Sequence, residues 1–212
     1  LGFLTQIEKV NYKELIHSIT KGQYSISKRS MLSAQILRDN EVISNVDALN
    51  DVVITRKITG DTAAVSVHIN GSYIDTYDGD GVIISTPTGS TGYQMSAGGP
   101  VSDPEADIIL MTPICPHMMH KQSYILKNDS CLELIVEENK DFECCFSYDG
   151  IVSSIYGKDI IKVDKEVILH VFNENKLLML RTKDIKNDPD IHSIILNKVQ
   201  YQFGENIIVI LN

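Results

Sequence analysis

The sequence predicts an α+β chain that is mainly β, in which antiparallel sheets pack face to face as a sandwich and helices are few. Short apolar runs rich in β-branched residues recur along the chain between turn signals, at the spacing typical of such sheets. The turn signals are Asn70-Gly71, Asp78-Gly79, Asp149-Gly150 and Tyr156-Gly157. The predicted strands are residues 31–37, 52–55, 63–69, 82–85, 108–111, 132–136, 142–148, 167–172 and 176–180.

Helical periodicity is confined to two segments. Residues 6–20 place apolar side chains near helical spacing, and Lys21-Gly22 supplies the cation and the glycine that commonly end a helix. A second helix is expected to start within residues 87–97; if Ser90 or Thr91 begins it, its first N–H groups would face a bound ligand.

Composition describes an ordinary folded protein and disfavours some partners. The 212 residues include 19 Lys+Arg and 28 Asp+Glu, so the net charge is −9 and nucleic acid is an unfavourable partner. A chain of this length buries roughly 70% of its unfolded surface, which suffices for a core without metal or disulfide staples. No apolar run approaches the ~20 residues that span a bilayer, so we expect no membrane partner and a cytoplasmic setting.

The four cysteines are scattered without a Cys-x-x-Cys spacing, which indicates reduced and mainly structural thiols. Adjacent Cys144 and Cys145 are expected to point to opposite faces of one strand. For the domains, residues 1–5 are expected to end an N-terminal α/β domain that lies upstream. Residues 6–183 form the β-rich domain, and residues 184–212 are a polar linker and an unassigned tail.

The most informative stretch is Asp80-Gly-Val-Ile-Ile-Ser-Thr-Pro-Thr-Gly-Ser-Thr-Gly-Tyr93, where a buried strand enters a loop crowded with hydroxyls and glycines. Glycines let a ligand approach the backbone, and hydroxyls bond sugars and amides. The same residues also suit a strand, a turn and a plain helix start. From the residues alone, a small polar ligand and an ordinary turn both remain open.

Asn50 and Asp51 stand directly before an apolar strand, where an amide could bind a base edge and a carboxylate could accept from ribose hydroxyls. A polar turn before a strand explains them equally well. Cys115, His117 and His120 are possible metal ligands, but two prolines predict an extended loop there and no fourth ligand follows zinc spacing. We therefore expect no metal site.

Several enzyme classes lack their signatures. No Gly-x-Ser-x-Gly elbow is present, and neither a Walker phosphate loop nor a Gly-x-Gly-x-x-Gly fingerprint occurs. The residues by themselves indicate a β-rich domain with one hydroxyl-rich and glycine-rich loop that binds a small polar ligand.

Five motifs taken in order resemble the NAD kinase family over residues 1–181. They are Leu1-Gly-Phe-Leu-Thr5, Leu49-Asn-Asp-Val-Val53, the string from Asp80 to Tyr93, Ser96-Ala-Gly-Gly-Pro100 and Thr112-Pro-Ile-Cys-Pro-His117. The resemblance implies transfer of the terminal phosphoryl group of ATP, or of polyphosphate, to the 2′-hydroxyl of the adenosine ribose of NAD, giving NADP. It also implies Mg²⁺ or another divalent cation with the ATP, no tightly bound cofactor, and a homo-oligomer, dimer or tetramer, with shared sites.

The resemblance implies an NAD-binding set but no catalytic residue within this chain. The family's Gly-Gly-Asp-Gly motif, whose aspartate is the proposed base, is absent from these residues, so this chain alone is expected to be inactive. The implied NAD-binding residues are Asn50, Asp51, Asp80, Thr88, Thr91, Gly92, Tyr93, Gln94, Met95, Ser96, Cys115, Asp149 and Gly150.

Three positions depart from the family pattern. Gly92 stands where alanine is usual, Gln122-Ser123 replaces an arginine and a proline, and Ile151 replaces a glutamine after Asp149-Gly150. Two other functions remain as alternatives: a non-catalytic NAD(P)-binding or oligomerisation module, and a lipid kinase-like member of the wider superfamily.

Overall fold

The computed structural model describes residues 21, 25–58, 61–119, 121–137, 143–164 and 168–173, which form fourteen strands. The longest α-helix among these residues, α1 (Tyr93–Ser96), has four residues and is too short to cross a lipid bilayer. The strands are β1 (Ser25–Ser30), β2 (Leu32–Arg38), β3 (Glu41–Ala48), β4 (Asp51–Arg56), β5 (Ala63–Ile69), β6 (Ser72–Gly79), β7 (Gly81–Ser85), β8 (Ile108–Ile114), β9 (Tyr124–Lys127), β10 (Leu132–Val136), β11 (Glu143–Tyr148), β12 (Ile151–Tyr156), β13 (Ile160–Asp164) and β14 (Ile168–Asn173).

Two six-stranded antiparallel sheets form the sandwich. Sheet I has the order β3-β2-β13-β10-β5-β6, and sheet II has the order β12-β11-β4-β7-β8-β9. A separate two-stranded sheet pairs β1 with β14 and belongs to a different compact unit. The fold is therefore the mainly β sandwich that the sequence predicts.

The core lies between the two sheets because side chains alternate along each strand. Sheet I contributes Leu134 and Ile161, and sheet II contributes Ile54 and Phe146, each at most 1% exposed. Cys144 joins this core while Cys145 is only half-buried, which confirms that the two thiols point to opposite faces. All four cysteines are free thiols.

The centre of sheet II is buried on both faces. Val53, Ile83 and Ile114 point away from the sandwich core and pack against Ala97, which follows α1. Every residue of β7 is buried as a result. The continuous apolar run of this strand is explained by the loop that covers its outer face.

The chain crosses between sheets next to two of the motifs. Leu49 and Asn50 join β3 of sheet I to β4 of sheet II, and Asp80 joins β6 to β7. Strands β4 and β7 are antiparallel neighbours, with Asp51 opposite Ser85. The corner at Asn50 therefore lies at the end of β7 from which the glycine-rich loop departs.

Strand prediction succeeds for the inner strands of sheets I and II except β13, and fails at the edges. Strands β3, β6, β9 and β12, the four edges of sheets I and II, are not predicted, and neither are β1 and β13. Most residues of β3 and β12 are exposed, so these strands carry no apolar run that marks them. The turn predicted at Asp78-Gly79 is wrong, because both residues pair with β5.

The remaining predicted elements have mixed outcomes. The helix within residues 87–97 is only a 3₁₀ turn at Thr88–Thr91 followed by α1. Thr112, Pro113 and Ile114 belong to β8, so the loop predicted around the two prolines begins only at Cys115. The helix at 6–20, the strand at 176–180, and the segments 1–5 and 184–212 lie outside the described residues.

Candidate functional site

The first part of the site is the corner where the chain enters β4. The backbone N–H groups of Leu49 and Asn50 donate to the Asp149 carboxylate at 2.7 and 2.8 Å, and that of Asp51 donates at 3.4 Å. The Asp149 N–H in turn donates to the Asp51 carbonyl at 3.2 Å. The turn between β11 and β12 therefore fixes the backbone that carries Asn50 and Asp51.

The loop after β7 is tied to the same corner. The Thr86 N–H donates to the Asn50 carbonyl at 2.9 Å, and the Thr86 hydroxyl donates to the Leu49 carbonyl at 2.6 Å and accepts from the Gly89 N–H at 3.1 Å. The Ser85 hydroxyl also donates to the Asn50 carbonyl, at 3.1 Å. These hydroxyls satisfy the backbone of the loop rather than standing free for a ligand.

Gly89 makes this close approach possible. A Cβ atom there would lie 2.1 Å from the Asn50 carbonyl oxygen and 2.6 Å from the Ser85 hydroxyl oxygen, well inside contact distance. Only glycine allows the loop to pack on the corner at this distance.

Neither Ser90 nor Thr91 begins the α-helix. The helix begins at Tyr93 after Gly92, and no side chain caps it. Ser90 is fully buried, and its hydroxyl accepts from the Ser102 N–H at 3.1 Å. Glycines and hydroxyls in this loop hold a compact turn, because the chain reverses here within a few residues.

Gln94 anchors α1 to the sheet below it. This side chain is fully buried, and its Nε2 donates to the Thr112 hydroxyl on β8 at 2.6 Å. The Thr112 hydroxyl donates onward to Ser123 at 2.7 Å. The neighbours of Gln94 in the helix, Tyr93 and Met95, are 46% and 50% exposed and face outward.

Asp80 lies at the other crossing between the sheets. The Arg56 Nε donates to its carboxylate at 2.7 Å, and the Asp80 N–H donates to the Ile114 carbonyl at 2.9 Å. Cys115 follows directly, is exposed, and has φ +45°. The ion pair with Arg56 holds the Asp80 carboxylate beside the start of this exposed segment.

Electrostatic interactions relate Tyr93 to both crossings. The pKa of its phenol is raised, first by burial and then by the negative charges of Asp80, Cys115 and Asp51. The pKa of Asp51 is itself raised to about 6, first by burial and then by the charge of Asp149. Tyr93 therefore lies within electrostatic reach of residues from three separate motifs.

A metal centre at Cys115 and His117 has no support in the geometry. The two residues flank the buried Pro116, and His120 lies outside the described residues. Within the part of the chain that the structure describes, no group of three His, Cys, Asp or Glu side chains could hold a metal ion.

Comparison with known proteins supplies a family. Residues 49–172 match the ATP-NAD kinase C-terminal domain. The NAD kinases of Caldanaerobacter subterraneus subsp. tengcongensis and Lachnoclostridium phytofermentans are 40% and 41% identical over 189 and 193 residues, covering 86% of this chain in both cases. The chain belongs to the ATP-NAD kinase family.

This chain spans about two thirds of the length of those NAD kinases, namely 66% and 68%. Among solved structures, yeast NADH kinase complexed with NADH is similar with a TM-score of 0.75 at 27% identity, covering 82% of this chain and 52% of that chain. An NAD kinase from Archaeoglobus fulgidus in complex with ATP has the same fold, with a TM-score of 0.61 at 22% identity, covering 87% of this chain and 66% of that chain.

The residues that the NAD kinase resemblance assigns to NAD fall into three groups by exposure. Thr88 and Gln94 are buried, and the Thr88 hydroxyl has no hydrogen-bond partner among the described residues. Asn50, Asp51, Asp80 and Thr91 are half-buried. The exposed members are Gly92, Tyr93, Met95, Ser96, Cys115, Asp149 and Gly150.

Sequence reasoning missed two residues that shape this site. Arg56 forms an ion pair with Asp80 where the chain crosses between the sheets. The Thr112 hydroxyl accepts a hydrogen bond from the Gln94 amide. Arg56 lies two residues beyond the apolar centre of β4 on an unremarkable polar strand end. A register between β4 and β7, with Thr55 opposite Gly81, is the signal that could have placed it beside Asp80.

Proposed function

We propose that this chain supplies the dinucleotide-binding part of an NAD kinase, which transfers the terminal phosphoryl group of ATP to the 2′-hydroxyl of the adenosine ribose of NAD. The observation that carries the proposal is the cluster of Asn50, Asp51 and Tyr93. Asp149 and the loop after β7 fix the backbone that carries Asn50 and Asp51, and the Tyr93 phenol lies within electrostatic reach of Asp51. Family membership indicates which ligand such a cluster takes.

The chemistry of the cluster suits a ribose and a base. An amide both donates and accepts, so Asn50 can pair with a base edge or a ribose hydroxyl, while an ionised Asp51 accepts from hydroxyls. The exposed ring of Tyr93 offers a surface on which a planar base can stack. Yeast NADH kinase, whose fold this chain shares, is solved with NADH, which supports a nicotinamide dinucleotide as the ligand.

For the phosphoryl donor we propose ATP, with polyphosphate as the other candidate that the family resemblance offers. The accompanying divalent cation finds no prepared ligand set in the described residues, since Asp80 is paired with Arg56 and Asp149 accepts three backbone N–H groups. We therefore propose that Mg²⁺ arrives on the phosphates of ATP. Phosphoryl transfer needs positioning and charge stabilisation more than covalent chemistry from the protein.

Binding and turnover are tested separately. The 212-residue chain should bind NADH in a fluorescence titration but should form no NADP from NAD, ATP and Mg²⁺ in a coupled assay. A chimera that places the preceding part of the Caldanaerobacter NAD kinase before this chain should form NADP. No NADH or NAD binding by the chain, together with an inactive chimera that is folded, would overturn the proposal.

We also propose that each site is completed by a second copy of the chain in a closed homo-oligomer, a dimer or tetramer in the cytoplasm. Apolar side chains stand exposed on the edge strands of sheet II, at Ile125, Val152 and Tyr156, where a partner could cover them. Mixing an Asn50→Ala chimera with an Asp80→Ala chimera should restore activity, because hybrids contain some intact sites. A monomeric mass by light scattering contradicts this arrangement.

A further inference from the structure

Asp149, in the turn after β11, bonds to a stretch of backbone at the start of β4, the neighbouring strand of sheet II, about 100 positions earlier in the chain. Its Oδ2 accepts from the Leu49 N–H at 2.7 Å, and its Oδ1 accepts from the N–H groups of Asn50 at 2.8 Å and Asp51 at 3.4 Å. Three successive backbone donors therefore converge on one carboxylate. Such charge-assisted hydrogen bonds are roughly twice as strong as neutral ones.

We propose that Asp149 is a positioning residue for the dinucleotide: it holds the backbone of Leu49, Asn50 and Asp51 in the shape that presents the side chains of Asn50 and Asp51 to the ligand. This proposal rests on the proposed function and deepens it. It differs from the expectation of the sequence, in which Asp149-Gly150 contacts the ligand as part of a turn.

The contacts on both sides of the turn support this role. The Asp149 N–H donates to the Asp51 carbonyl, so both the backbone and the side chain of Asp149 are hydrogen-bonded to the corner at Leu49, Asn50 and Asp51. The loop after β7 attaches to that corner through the carbonyls of Leu49 and Asn50. Displacement of the corner would therefore move the whole glycine-rich loop, including the segment that leads to Tyr93.

The charge of Asp149 is also felt by its neighbour. It raises the pKa of Asp51, after burial as the larger cause, to about 6. Among the described residues, Asp51 also acts electrostatically on the phenol of Tyr93 in α1, whose pKa is raised first by burial and then by Asp80, Cys115 and Asp51. Removal of the Asp149 charge should lower the pKa of Asp51, which a purely structural contact would leave unchanged.

Asp149→Asn is a sharp test because the turn tolerates it. Asp149 and Gly150 have φ of +44° and +84°, and asparagine adopts that left-handed conformation as readily as aspartate. The asparagine side chain has only one acceptor oxygen. Its NH₂ group takes the place of the second carboxylate oxygen, so two donors, the NH₂ group and a backbone N–H, then point at each other. The substitution therefore keeps size and turn while it breaks the grip on the corner.

The matched control is Asp159→Asn. Asp159 also accepts a backbone N–H, that of Tyr156 at 2.9 Å, but its other partner is Arg38 and it holds a turn between β12 and β13. Both variants lose one negative charge and both weaken a turn. Of the two aspartates, only Asp149 is hydrogen-bonded to the corner that carries Asn50 and Asp51.

The experiment is a fluorescence titration of NADH into the 212-residue chain and its variants between pH 5 and 8, with circular dichroism to verify folding. We expect Asp149→Asn to weaken NADH binding by about tenfold or more, the effect of disrupting a charge-assisted contact. The inflection that Asp51 gives to binding near pH 6 should move to lower pH. Asp159→Asn should bind NADH as the unsubstituted chain does, with the inflection unmoved.

Unchanged affinity and unchanged pH profile in folded Asp149→Asn overturn the positioning role while the proposed function stands. If the unsubstituted chain binds no NADH or NAD and the folded chimera is inactive, the proposed function falls and the positioning role falls with it. If the chain alone binds no NADH but the chimera forms NADP, the same substitutions are compared in the chimera. Should Asp149→Asn fail to fold, Asp149→Glu replaces it, since its carboxylate is kept but displaced by one methylene. Affinity equal to that of the unsubstituted chain in Asp149→Glu likewise counts against the proposal.

Discussion

An aspartate stabilises the turn between β11 and β12 and another stabilises the turn between β12 and β13, but their hydrogen-bond partners differ. Asp159, 1% exposed, accepts from both Nε and Nη2 of Arg38 at 2.9 and 2.8 Å, and the guanidinium also lies 4.9 Å from the centre of the Tyr156 ring. Asp149 accepts backbone N–H groups instead, from a corner that carries two polar side chains.

On our proposal, the difference separates a turn that stabilises the fold from one that positions a binding site. At Asp159 the negative charge is matched by a cation, and the hydrogen bond of Asp159 raises the pKa of Arg38. At the Asp149 corner the pKa of Asp51 is raised, first by burial and then by the negative charge of Asp149. An arrangement that disfavours its own charge is typical of functional sites rather than of structural ones.

The largest effect on stability is expected at the Asp159 turn. Asp159→Ala should lower the free energy of unfolding by about 2 kcal/mol, because it removes the two hydrogen bonds from Arg38 and the one from the Tyr156 N–H, with Arg38 relaxing into water. Urea unfolding at pH 7 measures this. NADH affinity should be unchanged, and a weakened affinity would remove the distinction between the two turns.

The next effect concerns binding at the Asp149 corner. Asn50→Ala should weaken NADH or NAD binding by about 1–3 kcal/mol, the cost of leaving a buried ligand group unpaired. Calorimetry measures the affinity and a thermal scan measures stability. An unchanged affinity combined with a lower melting temperature would show that Asn50 is a structural turn residue.

A smaller effect is expected from the pKa of Asp51, which the fold raises to about 6. In the unfolded chain Asp51 loses its proton near the ordinary pKa of about 3.9. Between this pH and the folded pKa the folded state therefore loses stability relative to the unfolded state as the pH rises. Above the folded pKa this loss of stability is constant. Asp51→Asn escapes the penalty. Its stability relative to the unsubstituted chain should increase by about 1 kcal/mol between pH 4 and pH 7, discounted for the partial exposure of Asp51.

Denaturant titrations at several pH values check this difference. The gain in stability should come with weaker NADH binding, because the same carboxyl is proposed to accept ribose hydroxyls. Equal stability of the two proteins at every pH would mean that the Asp149 corner carries no electrostatic penalty.

The smallest effect is expected at Gly92, where the family usually has alanine. A Cβ atom there would lie 3.2 Å from the Gly89 carbonyl oxygen, closer than an ordinary contact, so the neighbouring backbone has to shift by a few tenths of an ångström. Gly92→Ala should lower the free energy of unfolding by about 0.5 kcal/mol. Gly89→Ala, whose Cβ meets the Asn50 carbonyl, should be far more damaging in the same thermal scan.

The sequence by itself determined the class of the fold and the inner strands of the two sheets except β13. Strands such as β5 and β10 were predicted with their observed bounds. Their buried positions are occupied by apolar residues, and this pattern is visible in the sequence. The motif around Asn50 and the string from Asp80 to Tyr93 indicated the family that the comparisons confirm.

Only the tertiary structure decided the edges and the roles of single polar residues. Edge strands such as β3 and β12 are set by backbone pairing with a neighbour, which leaves little trace in side-chain hydrophobicity. Whether a hydroxyl or carboxylate faces a ligand or the chain's own backbone depends on what distant segments bring near it. Asp149 and Thr86 both form hydrogen bonds to the corner at Leu49, because sheet II places β11, β4 and β7 side by side. The local sequence of these strands does not indicate that order.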